Sequence, residues 1–139
     1  DGLDRAIALS QAGEFVDKLP EGTEHRIAQM GRNVSGGQKQ RLSIARALAR
    51  EPEILIFDDS FSALDYRTDA KLRAGLEEQL AGTTKIIVAQ RISTIRHADE
   101  IIVLDRGEAV GMGTHEELMQ SCPVYREIAM SQLSAAELA

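Results

Sequence analysis

Tryptophan is absent from this 139-residue chain, and aromatic residues of all kinds make up only 4% of it. Proteins that grip nucleic acid carry a basic face, often interleaved with aromatic platforms; a formal charge of −6 with so few rings argues against nucleic acid as a partner. Cysteine is nearly absent as well. Cys122 stands alone, so no internal disulfide can form, as expected in a reducing compartment. Long apolar runs are also missing. Ile54 to Phe57, Ile86 to Ala89 and Ile101 to Leu104 are the longest, strand-sized and far short of the ~20 residues that span a bilayer. What remains is an aliphatic chain, 43% hydrophobic, the size of one domain or subdomain and suited to an α/β core.

The most informative stretch is Asn33-Val34-Ser35-Gly36-Gly37-Gln38-Lys39-Gln40-Arg41. Ser35 is a good helix N-cap, and Ser35-x-x-Gln38 has the form of a capping box. Capping alone leaves the glycines unexplained, since each costs about 1 kcal/mol relative to alanine in a helix. Bare glycine amides do let an anion approach. A serine hydroxyl, two unshielded N–H groups and the positive end of a helix dipole, aimed at one point, suit a phosphate oxygen.

Downstream, Ile54-Leu55-Ile56-Phe57-Asp58-Asp59 follows the stop Arg50-Glu51-Pro52. Four consecutive apolar residues predict a strand buried on both faces, as in a parallel sheet covered by helices. Open α/β sheets bind ligands at the carboxyl ends of such strands, which places Asp58 to hold Mg²⁺ on a nucleotide. Found alone, either motif reads equally as a cap or a turn.

The two motifs together resemble the nucleotide-binding domain of ATP-binding cassette (ABC) transporters. Val34 to Gln38 resembles the ABC signature, Ile54 to Asp58 Walker B, and Ser62-Ala63-Leu64-Asp65 the D-loop, while Ile86 to Arg91 resembles the strand that carries the switch position. The likeness runs from about Asp4 to about Leu133, and Val103 to Gly107 with Gly113 to Leu118 is most similar to the exporter branch. It implies a P-loop NTPase-like α/β fold, a mostly parallel sheet flanked by helices. On this reading residues 1–50 are the end of the helical subdomain with the signature helix, and residues 51–139 are the C-terminal part of the ATPase core. ATP and Mg²⁺ are the implied cofactors, a second nucleotide-binding domain and a transmembrane domain the implied partners, and the cytoplasmic face of the membrane the implied location.

Two positions depart from the family pattern. The residue after the Walker B aspartate, usually a glutamate that orients the attacking water, is Asp59, one methylene shorter. Retracting a base by roughly 1 Å can cost on the order of 100-fold in rate. The switch position, usually histidine, is Gln90, which cannot take a proton but can donate a hydrogen bond to phosphate. Jointly Asp59 and Gln90, the candidate catalytic positions, imply a degenerate ATP site. The signature residues Ser35, Gly36, Gly37 and Gln38 are intact, and in this family they close over the ATP of the opposite subunit. The expected assembly is therefore a heterodimeric exporter in which this chain completes its partner's competent site. A non-hydrolysing nucleotide clamp is the alternative, and a soluble ABC protein of translation or chromosome maintenance the third; the exporter-like segment from Val103 to Leu118 counts against the last.

No G-x-x-x-x-G-K-[ST] occurs in the sequence, so the phosphate-cradling loop is expected to lie outside it, and the chain alone is expected neither to bind ATP usefully nor to hydrolyse it. Leu3 to Leu19 predicts a helix or a pair of short helices stopped by Pro20, then a loop from Glu21 to Asn33. Within it, Glu24 to Arg32 occupies the place of the exporter X-loop, although Ala28-Gln29-Met30 stands where a glutamate is usual. The helix Gly36 to Arg50 is expected to bury Leu42, Ala45 and Leu48 and to present Lys39, Arg41, Arg46 and Arg50 on a solvated or interdomain face. Thr68 to Leu80 predicts an amphipathic helix, Lys85 to Ala89 and Glu100 to Leu104 strands, and Glu108 to Met112 an antiparallel return after the turn Arg106-Gly107. Asp65 reads either as a helix N-cap or as a D-loop residue on a dimer interface. Thr114-x-x-Glu117 opens a short helix, with His115 expected at the surface or in the cap; His25 and His97 lack metal-ligand spacing. A last helix begins at Pro123, with fraying expected over Gln132 to Ala139.

Overall fold

The computed structural model describes residues 2–133; the fraying expected at the C-terminus falls mostly on residues 134–139, outside that range. Two compact units divide the chain, Asp1–Val88 and Ala89–Ala139.

The first unit opens with the pair of short helices, α1 (Gly2–Leu9) and α2 (Gly13–Val16). The break falls at Gln11, whose φ of 58° turns the chain so that the Ala12 N–H donates to the Ile7 carbonyl at 3.0 Å. The loop that follows carries two single 3₁₀ turns, Gly22–Glu24 and Gln29–Gly31. Asn33 pins it: its side chain accepts from the Ala28 N–H at 2.9 Å and donates to the Arg26 carbonyl at 3.2 Å. Helix α3 (Gly36–Leu48) then leads to strand β1 (Ile54–Asp58), helix α4 (Tyr66–Gln79) and strand β2 (Thr84–Val88).

β1 and β2 pair in parallel, Ile54 opposite Thr84 through Asp58 opposite Val88, with α4 as the crossover. Leu55 and Phe57 are buried against Ala6 and Leu9 of α1, Ile44 and Leu48 of α3, and Leu72 and Leu76 of α4. Burial on both faces, expected from the unbroken apolar run, does not hold among the described residues. Ile54 is 58% and Ile56 67% exposed, because the helices of this unit cover only the Leu55 and Phe57 side. On α3 the buried row is Ile44, Ala45 and Leu48, while Leu42 is half-buried against the satellite cluster of Ala12, Phe15 and Val16. Arg41 is not a solvated cation: its guanidinium donates to the Gln11 carbonyl at 2.8 Å and lies 4.9 Å from the Phe15 ring centre.

In the second unit the single turn α5 (Ile92–Ile95) precedes an antiparallel hairpin, β3 (Ile101–Asp105) and β4 (Glu108–Gly113), then α6 (His115–Ser121) and α7 (Pro123–Gln132). Ile101, Val103, Leu118, Tyr125 and Ala129 form its core. The Thr114 capping box and Pro123 in the first turn of α7 are present as expected. His115 departs from expectation: it is 5% exposed, buried among the core residues rather than at the surface.

Candidate functional site

β1 ends at Asp58, and the next residue leaves the sheet direction abruptly. Asp59 has φ 51°, in the left-handed region, while its N–H still donates to the Val88 carbonyl at 3.0 Å as though the strand continued. Asp58 and Asp59 are both exposed. The loop 59–64 folds back on itself: the Ser62 hydroxyl donates to the Asp59 carbonyl at 3.2 Å, and buried Phe61 and Leu64 anchor it in the core, with the Phe61 ring 5.1 Å from that of Phe57. Asp65 closes the loop as the N-cap of α4. Its carboxylate accepts from the Thr68 N–H at 2.9 Å and the Thr68 hydroxyl at 2.8 Å, bonds that hold its pKa below the ordinary value of 3.8.

The mouth of α3 lies against this loop. Ser35 caps the helix, its Oγ accepting from the Gln38 N–H at 3.2 Å, and Gln38 returns the bond by accepting from the Ser35 N–H at 2.9 Å. This leaves the Ser35 hydroxyl proton free to donate. The Gly36 and Gly37 amides belong to the first helical turn, where no carbonyl lies four residues back within the helix. The glycines divide in role. A Cβ on Gly37 would sit 3.0 Å from the Ala63 carbonyl oxygen, tight enough that the loop would have to give by a few tenths of an ångström; at Gly36 the nearest atom is the Ala63 Cβ at 3.8 Å, an ordinary contact. Packing therefore explains one glycine and leaves the other without a structural task.

Sequence reasoning missed Gln40. Its side-chain amide donates to the Asp59 carbonyl at 3.2 Å and to Ser62 Oγ at 3.1 Å, and accepts from the Ala63 N–H at 2.9 Å. The signal was present: Gln40, Ile44 and Leu48 recur every four residues, so an amide heads a row that is otherwise buried. In the first unit the structure thus brings Ser35, Gly36, Gly37 and Gln38 together with the loop 59–65. Gln90 lies in the second unit, exposed, where its backbone carbonyl accepts from Gln132 Nε2 at 2.8 Å.

Among the described residues no group of three or more His, Cys, Asp or Glu side chains could hold a metal ion. Mg²⁺ on a nucleotide needs no such cage, since one or two carboxylates with phosphate and water oxygens suffice; the exposed carboxylate of Asp58 at a strand end fits that mode.

Residues 7–62 match the ABC transporter family model. The chain is 50% identical over 131 residues to an uncharacterized ABC transporter ATP-binding protein of Mycobacterium tuberculosis, covering 94% of this chain and 22% of that protein. It is 41% identical over 130 residues to the ABC multidrug transporter atrD of Emericella nidulans, covering 94% of this chain and 10% of the relative. A solved bacterial Atm1-family ABC exporter with ATP bound superposes with a TM-score of 0.91 at 35% identity, over 96% of this chain and 24% of that one. The fold is that of an ABC transporter ATP-binding domain, and the sequence likeness is to ABC transporter ATP-binding proteins. The chain spans about a fifth of the length of the mycobacterial relative, 22%, and less of the fungal one.

Proposed function

We propose that this chain is part of the ATP-binding subunit of an ABC exporter, working at the cytoplasmic face of the membrane, and that it supplies the signature side of an ATP site completed by a second nucleotide-binding domain. The carrying observation is the exposed mouth of α3, where a hydroxyl proton and the Gly36 and Gly37 amides meet with no packing reason for glycine at position 36. There the Ser35 hydroxyl and the two amides, with Gln38 fixing the cap, grip the terminal phosphate of ATP seated on the partner's loop. The loop Ser62 to Asp65 lies on the dimer interface. Residues 1–50 serve the helical subdomain and residues 51–139 the ATPase core, with a transmembrane domain as the further partner.

In this subunit's own site Asp58 holds Mg²⁺, Asp59 stands where the attacking water is oriented, and Gln90 contacts the γ-phosphate without taking a proton. Asp59 and Gln90 make that site slow, so the assembly is a heterodimer in which turnover falls to the partner's site and ATP persists at this one. The test is single-site hydrolysis in the assembled transporter. Asp59→Glu with Gln90→His is expected to raise the rate at this subunit's site; an unchanged rate removes the degeneracy reading.

A further inference from the structure

Gln40 joins the two halves of the site described above. Its Nε2 donates to the Asp59 carbonyl and to Ser62 Oγ, and its Oε1 accepts from the Ala63 N–H, at 3.2, 3.1 and 2.9 Å. Only an amide satisfies all three, since a carboxylate cannot donate and an ammonium cannot accept. These bonds close on a residue that needs holding: Asp59 is a non-glycine residue at φ 51°, and its carbonyl receives both Gln40 and the Ser62 hydroxyl. A second fastening lies beside the first, where Gly37 lets the Ala63 carbonyl approach to a distance that would be tight for any side chain. The first turns of α3 and the loop 59–64 are thus fixed to one another by both polar and steric contacts.

We propose that Gln40 is a positioning residue that sets the register between the phosphate grip at Ser35 to Gly37 and the loop that carries Asp59 and Asp65, so that closure on one nucleotide places the residues serving the other. The inference rests on the function proposed above. Gln40 acts through its neighbours, since its side-chain bonds go to Asp59, Ser62 and Ala63.

Gln40→Met keeps the length of the side chain and removes its polarity. In the assembled transporter it lowers ATP turnover at the partner's site on the order of 10- to 100-fold, as expected of a phosphate grip displaced from its working position. The effects of Ser35→Ala and Asp65→Ala on turnover fail to multiply when Gln40 is present and multiply independently in the Gln40→Met background. Turnover per folded molecule that is unchanged, or effects that multiply in both backgrounds, overturns the proposal. If Gln40→Met does not fold, Gln40→Glu decides, because it keeps the length and the Ala63 bond yet offers no donor to the Asp59 carbonyl; the same loss of turnover is expected, and full activity overturns the assignment. Ser35→Ala without effect on turnover sinks the phosphate-grip reading and this inference with it. Ser35→Ala slowed beside a fully active Gln40→Met sinks the Gln40 assignment alone.

Discussion

His115 Nδ1 lies 2.8 Å from the Tyr125 hydroxyl, with both side chains buried and their rings edge to face at 5.6 Å. Burial lowers the His115 pKa below the ordinary value of 6.5, helped by repulsion from Arg96 and His97 and opposed by Glu116. Burial likewise raises that of Tyr125, so the pair is neutral at physiological pH. A histidine harder to protonate when folded makes the unfolded chain bind more protons just below pH 6.5. The stability it contributes is therefore complete above that value and is lost as pH falls through it toward the folded pKa. Thermal unfolding followed between pH 8 and pH 5 is expected to show this decline, and His115→Gln to flatten it. An unaltered slope in the variant would assign the pH dependence to other groups.

Gly36 and Gly37 are expected to respond to alanine in opposite ways. Gly36→Ala meets only an ordinary contact and gains helix propensity, so stability holds or rises by up to about 1 kcal/mol. Gly37→Ala pushes a methyl to 3.0 Å from a backbone carbonyl and is expected to cost about 1–3 kcal/mol. If the proposed phosphate grip operates, nucleotide trapping at the partner's site is expected to fall in both. Denaturant titration of each variant, paired with trapping in the assembled transporter, separates the packing role from the phosphate role; Gly36→Ala with normal trapping would remove the latter.

How much of this was legible in the sequence depends on the range of the interaction. Capping boxes at Ser35 and Thr114, the Asp65 cap and the Pro123 helix start are written within four residues, and all are present. The parallel pairing of β1 with β2 followed from two short apolar runs with a helix between. Which face of β1 is covered could not be read, because every residue from Ile54 to Phe57 is apolar and period gives no side. His115 misled for a related reason. It occupies the first turn of a capped helix, a position that reads as surface, and only its encounter with Tyr125, ten residues on, explains its burial. The row Gln40, Ile44 and Leu48 could mark Gln40 itself, but its partners lie 19 to 23 residues away, beyond any local pattern.

The two roles of Asp65 can be separated by choice of substitution. Asparagine caps helices as well as aspartate does, whereas alanine does not. Asp65→Ala is expected to lower the melting temperature through loss of both Thr68 bonds, and Asp65→Asn to lower it less, because the amide oxygen still accepts from the Thr68 N–H. Because those bonds depress the folded pKa below 3.8, the contribution of Asp65 is present above that pH and lost as pH falls through the folded value. Altered communication between ATP sites in the stable Asp65→Asn variant would assign the residue an interface task; communication altered only in Asp65→Ala would leave it a cap.

The β3 and β4 hairpin offers a test of backbone preference free of nucleotide chemistry. Its two-residue turn, Arg106-Gly107, has φ values of 51° and 84°, both in the left-handed region as a type I′ turn demands. Glycine meets the demand without strain and arginine does not. Asparagine is favoured at the first of these positions, so Arg106→Asn is expected to stabilise the chain by up to about 1 kcal/mol. Gly107→Ala, which introduces a Cβ at φ 84° with no neighbouring atom to clash against, is expected to cost about 1–2 kcal/mol by conformation alone. Chemical denaturation of the two variants measures both. A stabilising Gly107→Ala would mean that the turn is not held in the left-handed form in solution, and that the register of Asp105 opposite Glu108 is set elsewhere along the strands.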